Sequence, residues 1–216
     1  MHKIISPSLL SANFGHLDAD VEMLNSSEAE WLHLDIMDGV FVPNISFGFS
    51  IINAIRKKTT KVLDTHLMIV DPERYVEDFA KAGADILTVH IEALKDPKQT
   101  IAKIKECGMK AGLSIKPATS AQSIFELLPM LDMVLVMSVE PGFGGQKFMP
   151  ESLDKIKALR AEIDRLGLDT IIEIDGGIDL GNAAAVYEAG CEVLVAGSTV
   201  FNSSDPKQTI HELLKL

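Results

Sequence analysis

Cysteine is scarce in this chain: Cys107 and Cys191 are the only two among 216 residues. Two thiols so far apart build neither a disulfide framework nor a thiolate metal site, so both read as reduced side chains. Positive charge is also short. Twenty lysines and arginines stand against 31 aspartates and glutamates, a net charge of −11. Such a balance repels nucleic acid and anionic membrane surfaces wherever no local basic patch offsets it. The nearest candidates, Arg56-Lys57-Lys58 and Lys103-Ile104-Lys105, read as ordinary solvated helix faces. No stretch of about 20 apolar residues offers a membrane span. The apolar segment at Ile4 follows a single lysine rather than an extended leader, so neither secretion nor membrane insertion is expected and the setting reads as cytoplasmic. Long linkers and low-complexity tracts are missing too, and 47% apolar with 24% charged residues suits a soluble globular protein. One domain spanning 1–216 is therefore expected.

What the chain does contain is a rhythm. Short apolar runs recur at 4–5, 31–37, 62–68, 86–91, 111–115, 133–137, 171–175 and 193–196. Helical stretches lie between them, clearest in "PERYVEDFAKAGAD", "PESLDKIKALRAEIDRLGLD" and "LGNAAAVYEAGCE". Several start near proline or aspartate and stop at glycine, as helix termini do. Strands alternating with helices favour parallel pairing through helical crossovers over hairpins. Eight repeats are what a closed parallel (β/α)8 TIM barrel needs, and a chain below the usual length of roughly 250 residues leaves little for insertions.

Three of the runs carry polar residues where valine or isoleucine would be expected. Side chains at i and i+2 of a strand point the same way. In "AEWLHLDIMDG" this places His33, Asp35 and Met37 in one column; in "VLDTHLMI" it aligns Asp64, His66 and Met68, and in "IIEIDGG" Glu173 with Asp175. If the columns face the barrel axis, their last members reach the C-terminal mouth, where barrel enzymes do their chemistry. Two imidazoles and two carboxylates gathered there would suit a divalent metal ion. A lone His33 or His66 is more often a hydrogen-bonded core residue, and Asp35, Asp38, Asp175 and Asp179 each suit a cap or turn. The coincidence of His33, Asp35, His66 and Asp175 at equivalent strand ends is what points to a metal. Met37, Met68 and Met137 read by composition as core.

A second pattern lies in "VEPGFGGQKF" at 139–148, "DGGI" at 175–178 and "VAGST" at 195–199, three glycine-containing turns after the sixth, seventh and eighth strands. Glycine lets backbone N–H groups converge on an anion, and the loops after strands seven and eight are a frequent phosphate site in such barrels. Gly197 and Ser198 can present backbone donors, although any one of these glycines taken alone suits a tight turn. "GFGG" lacks the lysine and hydroxyl of a nucleotide-binding P-loop and is not the dinucleotide fingerprint.

Together "ISPSLLSANF", "WLHLDIMDGVFVPNISFG", "DTHLMI", "MSVEPGFGGQKF", "IEIDGGI" and "VAGSTVF" resemble the ribulose-phosphate 3-epimerase family over essentially the whole chain. The resemblance implies a (β/α)8 fold and interconversion of D-ribulose 5-phosphate with D-xylulose 5-phosphate. It implies one divalent metal per subunit, zinc or iron(II) first and cobalt or manganese next, held by His33, Asp35, His66 and Asp175. Asp35 and Asp175 would be the paired acid and base. Ser8, His66, Met37, Met68 and Met137 would contact substrate, and Gly142, Phe143, Gly144, Gly145, Gly177, Gly197 and Ser198 would receive its phosphate. The partners implied are a phosphorylated ketopentose and further copies of the chain in a homo-oligomer, with no nucleic acid and no membrane. One departure lies in "SIKPATSA" at 114–121, where many bacterial members carry asparagine in place of Lys116 and proline in place of Ser120.

Epimerisation at C3 of a 2-ketose phosphate removes a proton beside the C2 carbonyl and returns one to the other face. Carboxylates on distant strands of a barrel can stand on opposite faces; neighbours on one strand cannot. The same logic serves an epimerase of six-carbon sugar phosphates such as D-allulose 6-phosphate. A silent metal- or sugar-phosphate-binding protein is the reading from another class.

Overall fold

A strand buried on both faces needs cover on both sides, and the eight apolar runs obtain it by closing on themselves inside a layer of helices. The computed structural model describes residues 2–216. Strands β1 (Ile4–Ser6), β2 (Trp31–Met37), β3 (Val62–Met68), β4 (Ile86–His90), β5 (Lys110–Ile115), β6 (Met133–Met137), β7 (Ile171–Asp175) and β8 (Val193–Val195) form one sheet. Every ladder is parallel, including β1 with β8. A bridge between Ser8 and His33, with the His33 N–H donating to the Pro7 carbonyl at 3.1 Å, closes the ring between β1 and β2.

The helices are α1 (Leu17–Asn25), α2 (Phe49–Arg56), α3 (Val76–Ala82), α4 (Pro97–Glu106), α5 (Ser152–Leu166), α6 (Ala183–Glu188), α7 (Ser198–Phe201) and α8 (Pro206–Lys215). Two crossovers depart from the expected pattern. The segment 72–84 splits into a 3-10 turn, Pro72–Arg74, and α3, which stops at Gly83 with φ +95°. Between β5 and β6 the chain runs as a 3-10 helix, Ala121–Met130, with Pro129 inside it; a residue without an N–H weakens α-helical continuation there. Arg56 is not a solvated residue either. Its guanidinium donates to the carbonyls of Thr59 at 2.7 Å and Lys61 at 2.8 Å and pairs with Asp85 at 2.8 Å, fastening the end of α2 to the next strand. Among the described residues no helix is long and apolar enough to cross a membrane.

Alternation along each strand divides two cores. Leu32, Leu34 and Ile36 of β2 pack outward with helix residues such as Ile52 and Ile55. Trp31, on the other parity, joins Ile4, Ile86, Met133 and Val193 in a plug at the bottom of the barrel. Above the plug Gly112 leaves room for Thr88, whose Oγ1 would lie 2.1 Å from any Cβ placed there. The layers above that mix buried polar side chains with Leu135, Met37, Met68 and Met137, and they carry the site.

Candidate active site

Register decides which polar side chains meet. His33 sits opposite Asp64, Asp35 opposite His66, and Met37 opposite Met68, while Met137 of β6 faces Asp175 of β7. The ligand atoms of His33, Asp35, His66 and Asp175 consequently lie within 4.8 Å of one another. His33 Nε2 and His66 Nδ1 stand 3.3 Å and 3.4 Å from Asp35 Oδ1, and His66 Nδ1 is 3.9 Å from Asp175 Oδ2. None of His33 Nε2, His66 Nδ1 or Asp35 Oδ1 has a hydrogen-bond partner, although all three are buried. Orphaned buried polar atoms are costly and uncommon. Three that converge beside a fourth ligand atom form a donor set of two imidazoles and two carboxylates, which fits a divalent cation.

Beneath this group, His33 Nδ1 lies 2.6 Å from Asp64 Oδ2, which also accepts from Ser6 Oγ at 3.1 Å. Engaging Nδ1 turns Nε2 toward the other ligand atoms. Glu173 is completely buried, with Oε1 3.8 Å from His33 Nδ1. Burial first, then the Asp64 charge, pushes its carboxyl well above the usual range. His33, Asp64 and Glu173 also come within 4.8 Å of one another, but burial and the Asp64 charge disfavour the ionised form of Glu173 that a ligand needs.

The two upper carboxyls are pushed in opposite directions. Burial works to raise Asp35, but the His33 and His66 rings outweigh it and hold the group well below the carboxylate range. For Asp175 the balance goes the other way: burial, then the Asp35 charge, outweigh the His33 ring and push it up to about 7. Burial also works to lower His33, yet the Asp64 and Asp35 charges dominate and raise it.

Asp35 and Asp175 open into a cavity at the mouth with about 550 Å³ of empty space, counting its opening. Its wall includes Ser8, Met37, Met68 and Met137, together with Gly142, Phe143, Gly144, Gly145, Gly177, Gly197 and Ser198. His33 and His66 lie fully buried and are not on that wall. Ser8 Oγ donates to Asp35 Oδ2 at 2.5 Å. The glycines have different physical reasons. Gly177 has φ +63°, and a Cβ there would fall 2.3 Å from the Phe148 nitrogen, so the loops after β6 and β7 touch backbone to backbone. Gly197 has φ −87°, so the need is for space: a Cβ would sit 2.7 Å from Ser11 Oγ. Gln146 braces the glycine loop by donating to the carbonyls of Glu140 at 2.7 Å and Phe143 at 2.9 Å.

Asp38 and Asp179 are turn residues. Asp38 accepts from the Val40, Phe41 and Val70 N–H groups, and Asp179 from Gly181 and Asn182. The pattern of alternation did not single out Ser11, Gln146, or His90, which lies against His66. For His90 a signal existed, since it follows Thr88 on the same parity of a buried strand.

A model of the Ribulose-phosphate 3 epimerase family matches residues 4–201. A ribulose-phosphate 3-epimerase of Synechocystis sp. is 50% identical over 209 residues, covering 96% of this chain and 91% of the relative. One from Bacillus subtilis is 48% identical over 210 residues, covering 97% of each. A crystal structure of 3-hexulose-6-phosphate synthase shares the fold, with a TM-score of 0.68 at 21% identity, covering 100% of this chain and 99% of that one. By a match along nearly its whole length, the chain belongs to the ribulose-phosphate 3-epimerase family.

Proposed function

We propose that this enzyme interconverts D-ribulose 5-phosphate and D-xylulose 5-phosphate by proton transfer at C3, with Asp35 and Asp175 as the two acid–base groups. The observation that carries the reading is the convergence of the unpartnered His33 Nε2, His66 Nδ1 and Asp35 Oδ1 beside Asp175 at the barrel mouth. His33, Asp35, His66 and Asp175 would hold one divalent ion, zinc or iron(II) first and cobalt or manganese next, since mixed imidazole and carboxylate sites accept several metals. Bound there, such an ion would supply Lewis acidity that makes the C3 proton easier to remove.

The remaining work falls to the side chains. Asp35 on β2 and Asp175 on β7 are separated by β1 and β8 on the short way round the barrel, an arrangement that lets them address opposite faces of C3. One carboxylate takes the C3 proton while the C–H electron pair moves into a C2–C3 double bond and the carbonyl pair onto O2. The other carboxyl then delivers its proton to the opposite face of C3, and the carbonyl re-forms. Ser8 holds Asp35 in place through its hydroxyl. Met37, Met68 and Met137 keep bulk water from the planar enediolate while leaving it room. The phosphate would lie against the turns of Gly142 to Gly145, Gly177, Gly197 and Ser198, remote from C3, so its binding energy positions the reacting carbon.

A coupled assay on metal-reconstituted protein tests the activity, and kcat/KM for pentulose against hexulose phosphates tests the substrate. Turnover of D-ribulose 5-phosphate is expected, with the pentulose preferred. A preference of about 100-fold for the six-carbon substrate would reassign the reaction. Tight phosphate-ester binding without any turnover would favour a silent binding protein.

A further inference from the structure

We propose that His90 is a positioning residue for the metal site: it accepts a hydrogen bond from His66 Nε2–H and so keeps the Nδ1 lone pair of His66 facing the other ligands. This rests on the proposed site, and it adds His90 and Glu92, on which the metal reading itself does not depend. His66 Nε2 and His90 Nε2 are 2.8 Å apart, with both residues completely buried. Two nitrogens at that distance share one proton, because two N–H groups would collide and two lone pairs would repel. The other end of the chain says which nitrogen carries it. His90 Nδ1 lies 3.2 Å from Glu92 Oε2. A carboxylate only accepts, so the His90 proton sits on Nδ1, its Nε2 is the acceptor, and His66 donates from Nε2.

Glu92 is itself fixed from the loop after β5. Its Oε1 accepts from the Lys116 N–H at 2.8 Å and from the Thr119 hydroxyl. Lys155 Nζ gathers the carbonyls of Lys116 at 2.9 Å, Pro117 at 2.7 Å and Thr119 at 2.6 Å, which sets the shape of that loop. Phe41 packs on the His90 ring at 4.9 Å between centroids and carries the Lys116 ammonium 3.8 Å from its own centroid. The departure at 114–121 thus surrounds the anchor of the chain, and Lys116 contributes its backbone N–H to it.

The arrangement differs from that of the first histidine. His33 is oriented by a carboxylate placed directly against it, Asp64 at 2.6 Å. A second carboxylate against His66 would add another buried charge to a cluster already holding the ionised Asp35 and Asp64. A neutral imidazole passes the orientation outward instead, and the charge rests on Glu92, whose side chain is 24% exposed.

The direct test is two-bond 1H–15N correlation of the histidine rings in the metal-free, full-length wild-type protein. His66 is expected as the Nε2–H tautomer and His90 as Nδ1–H; His66 protonated on Nδ1 instead overturns the proposal, and no variant is needed. Zinc affinity, measured by competition with a chromophoric chelator, adds a second readout. His90→Phe removes the acceptor and is expected to weaken zinc binding by about 10- to 100-fold. His90→Gln retains an acceptor in its side-chain carbonyl and should stay within about threefold of wild type. Equal zinc affinity in all three proteins overturns the positioning role, whereas wild-type protein that binds no zinc, iron(II), cobalt or manganese overturns the metal reading instead.

Discussion

An aspartate at position 197 would place a carboxylate where the account puts the substrate's phosphate. Gly197 has φ −87°, outside the left-handed region, and what it lacks is room, with a Cβ falling 2.7 Å from Ser11 Oγ and 3.4 Å from Ser8 Cβ. The Ser11 hydroxyl can swing aside, and the new carboxylate is then directed into the mouth. Two unit charges about 4 Å apart repel by about 1 kcal/mol in water and about 4 kcal/mol at an effective dielectric constant near 20. Gly197→Asp should therefore raise KM by roughly 5- to 1,000-fold. Metal content should stay near wild type, because none of the four ligands is altered. Gly197→Ala, which displaces only the Ser11 hydroxyl, should change KM by less than about threefold. The assay is coupled kinetics on D-ribulose 5-phosphate, with metal analysis and thermal melting on the same preparations. A folded, metal-loaded Gly197→Asp enzyme with the wild-type KM would refute the placement of phosphate at this turn.

Chelation should abolish turnover and added zinc or iron(II) should restore it; active protein with no stoichiometric transition metal would contradict this. In metal-free protein Asp175 is pushed up to about 7, so below that pH its proton must leave before it can ligate. Zinc affinity should weaken as pH falls through about 7, with proton release visible when uptake is titrated in buffers of different ionisation enthalpy. An affinity unchanged across that range would refute the assignment. Trp31→Ala empties part of the plug at the bottom of the barrel, where the side chain is only 5% exposed. It should cost about 3–5 kcal/mol in denaturant unfolding while leaving KM unchanged, and a rise in KM would mean that plug and site are not independent.

Alternation makes much of this barrel readable. His33, Asp35, His66 and Asp175 interrupt buried strands on a single parity, and parity alone sends them to the same side. Their meeting depends on parallel register, which strand-by-strand reading does not contain but the closed eightfold rhythm implies. His90 shows the limit. It lies inside the run 86–91 that reads as apolar, and its partner is found only through the stagger of β4 on β3, where His66 faces Thr88. Glu92 acquires its role from Lys116 and Thr119 in another loop. Gly197 is conspicuous in the chain, but Ser11, whose hydroxyl crowds the place of a Cβ there, comes from the opposite end of it. The crossover at 121–130 carries helical spacing and still folds as a 3-10 run.

The central claim is that two carboxylates serve opposite faces of C3, and deuterium exchange at C3 in heavy water tests it most directly. Asp175→Asn and Asp35→Asn are each loaded with metal, their metal content is measured, and exchange is followed by NMR from both epimers. Each variant should exchange the C3 proton of the one epimer its remaining acid can reach, while interconversion collapses. The two variants should favour opposite epimers. Loss of all activity counts only where metal is retained, because both residues are also proposed ligands. If both metal-loaded variants interconvert the epimers at near wild-type rates, neither carboxylate is essential and the mechanism is wrong. If only one does, the remaining acid serves both faces, alone or through water, and the two-base assignment fails.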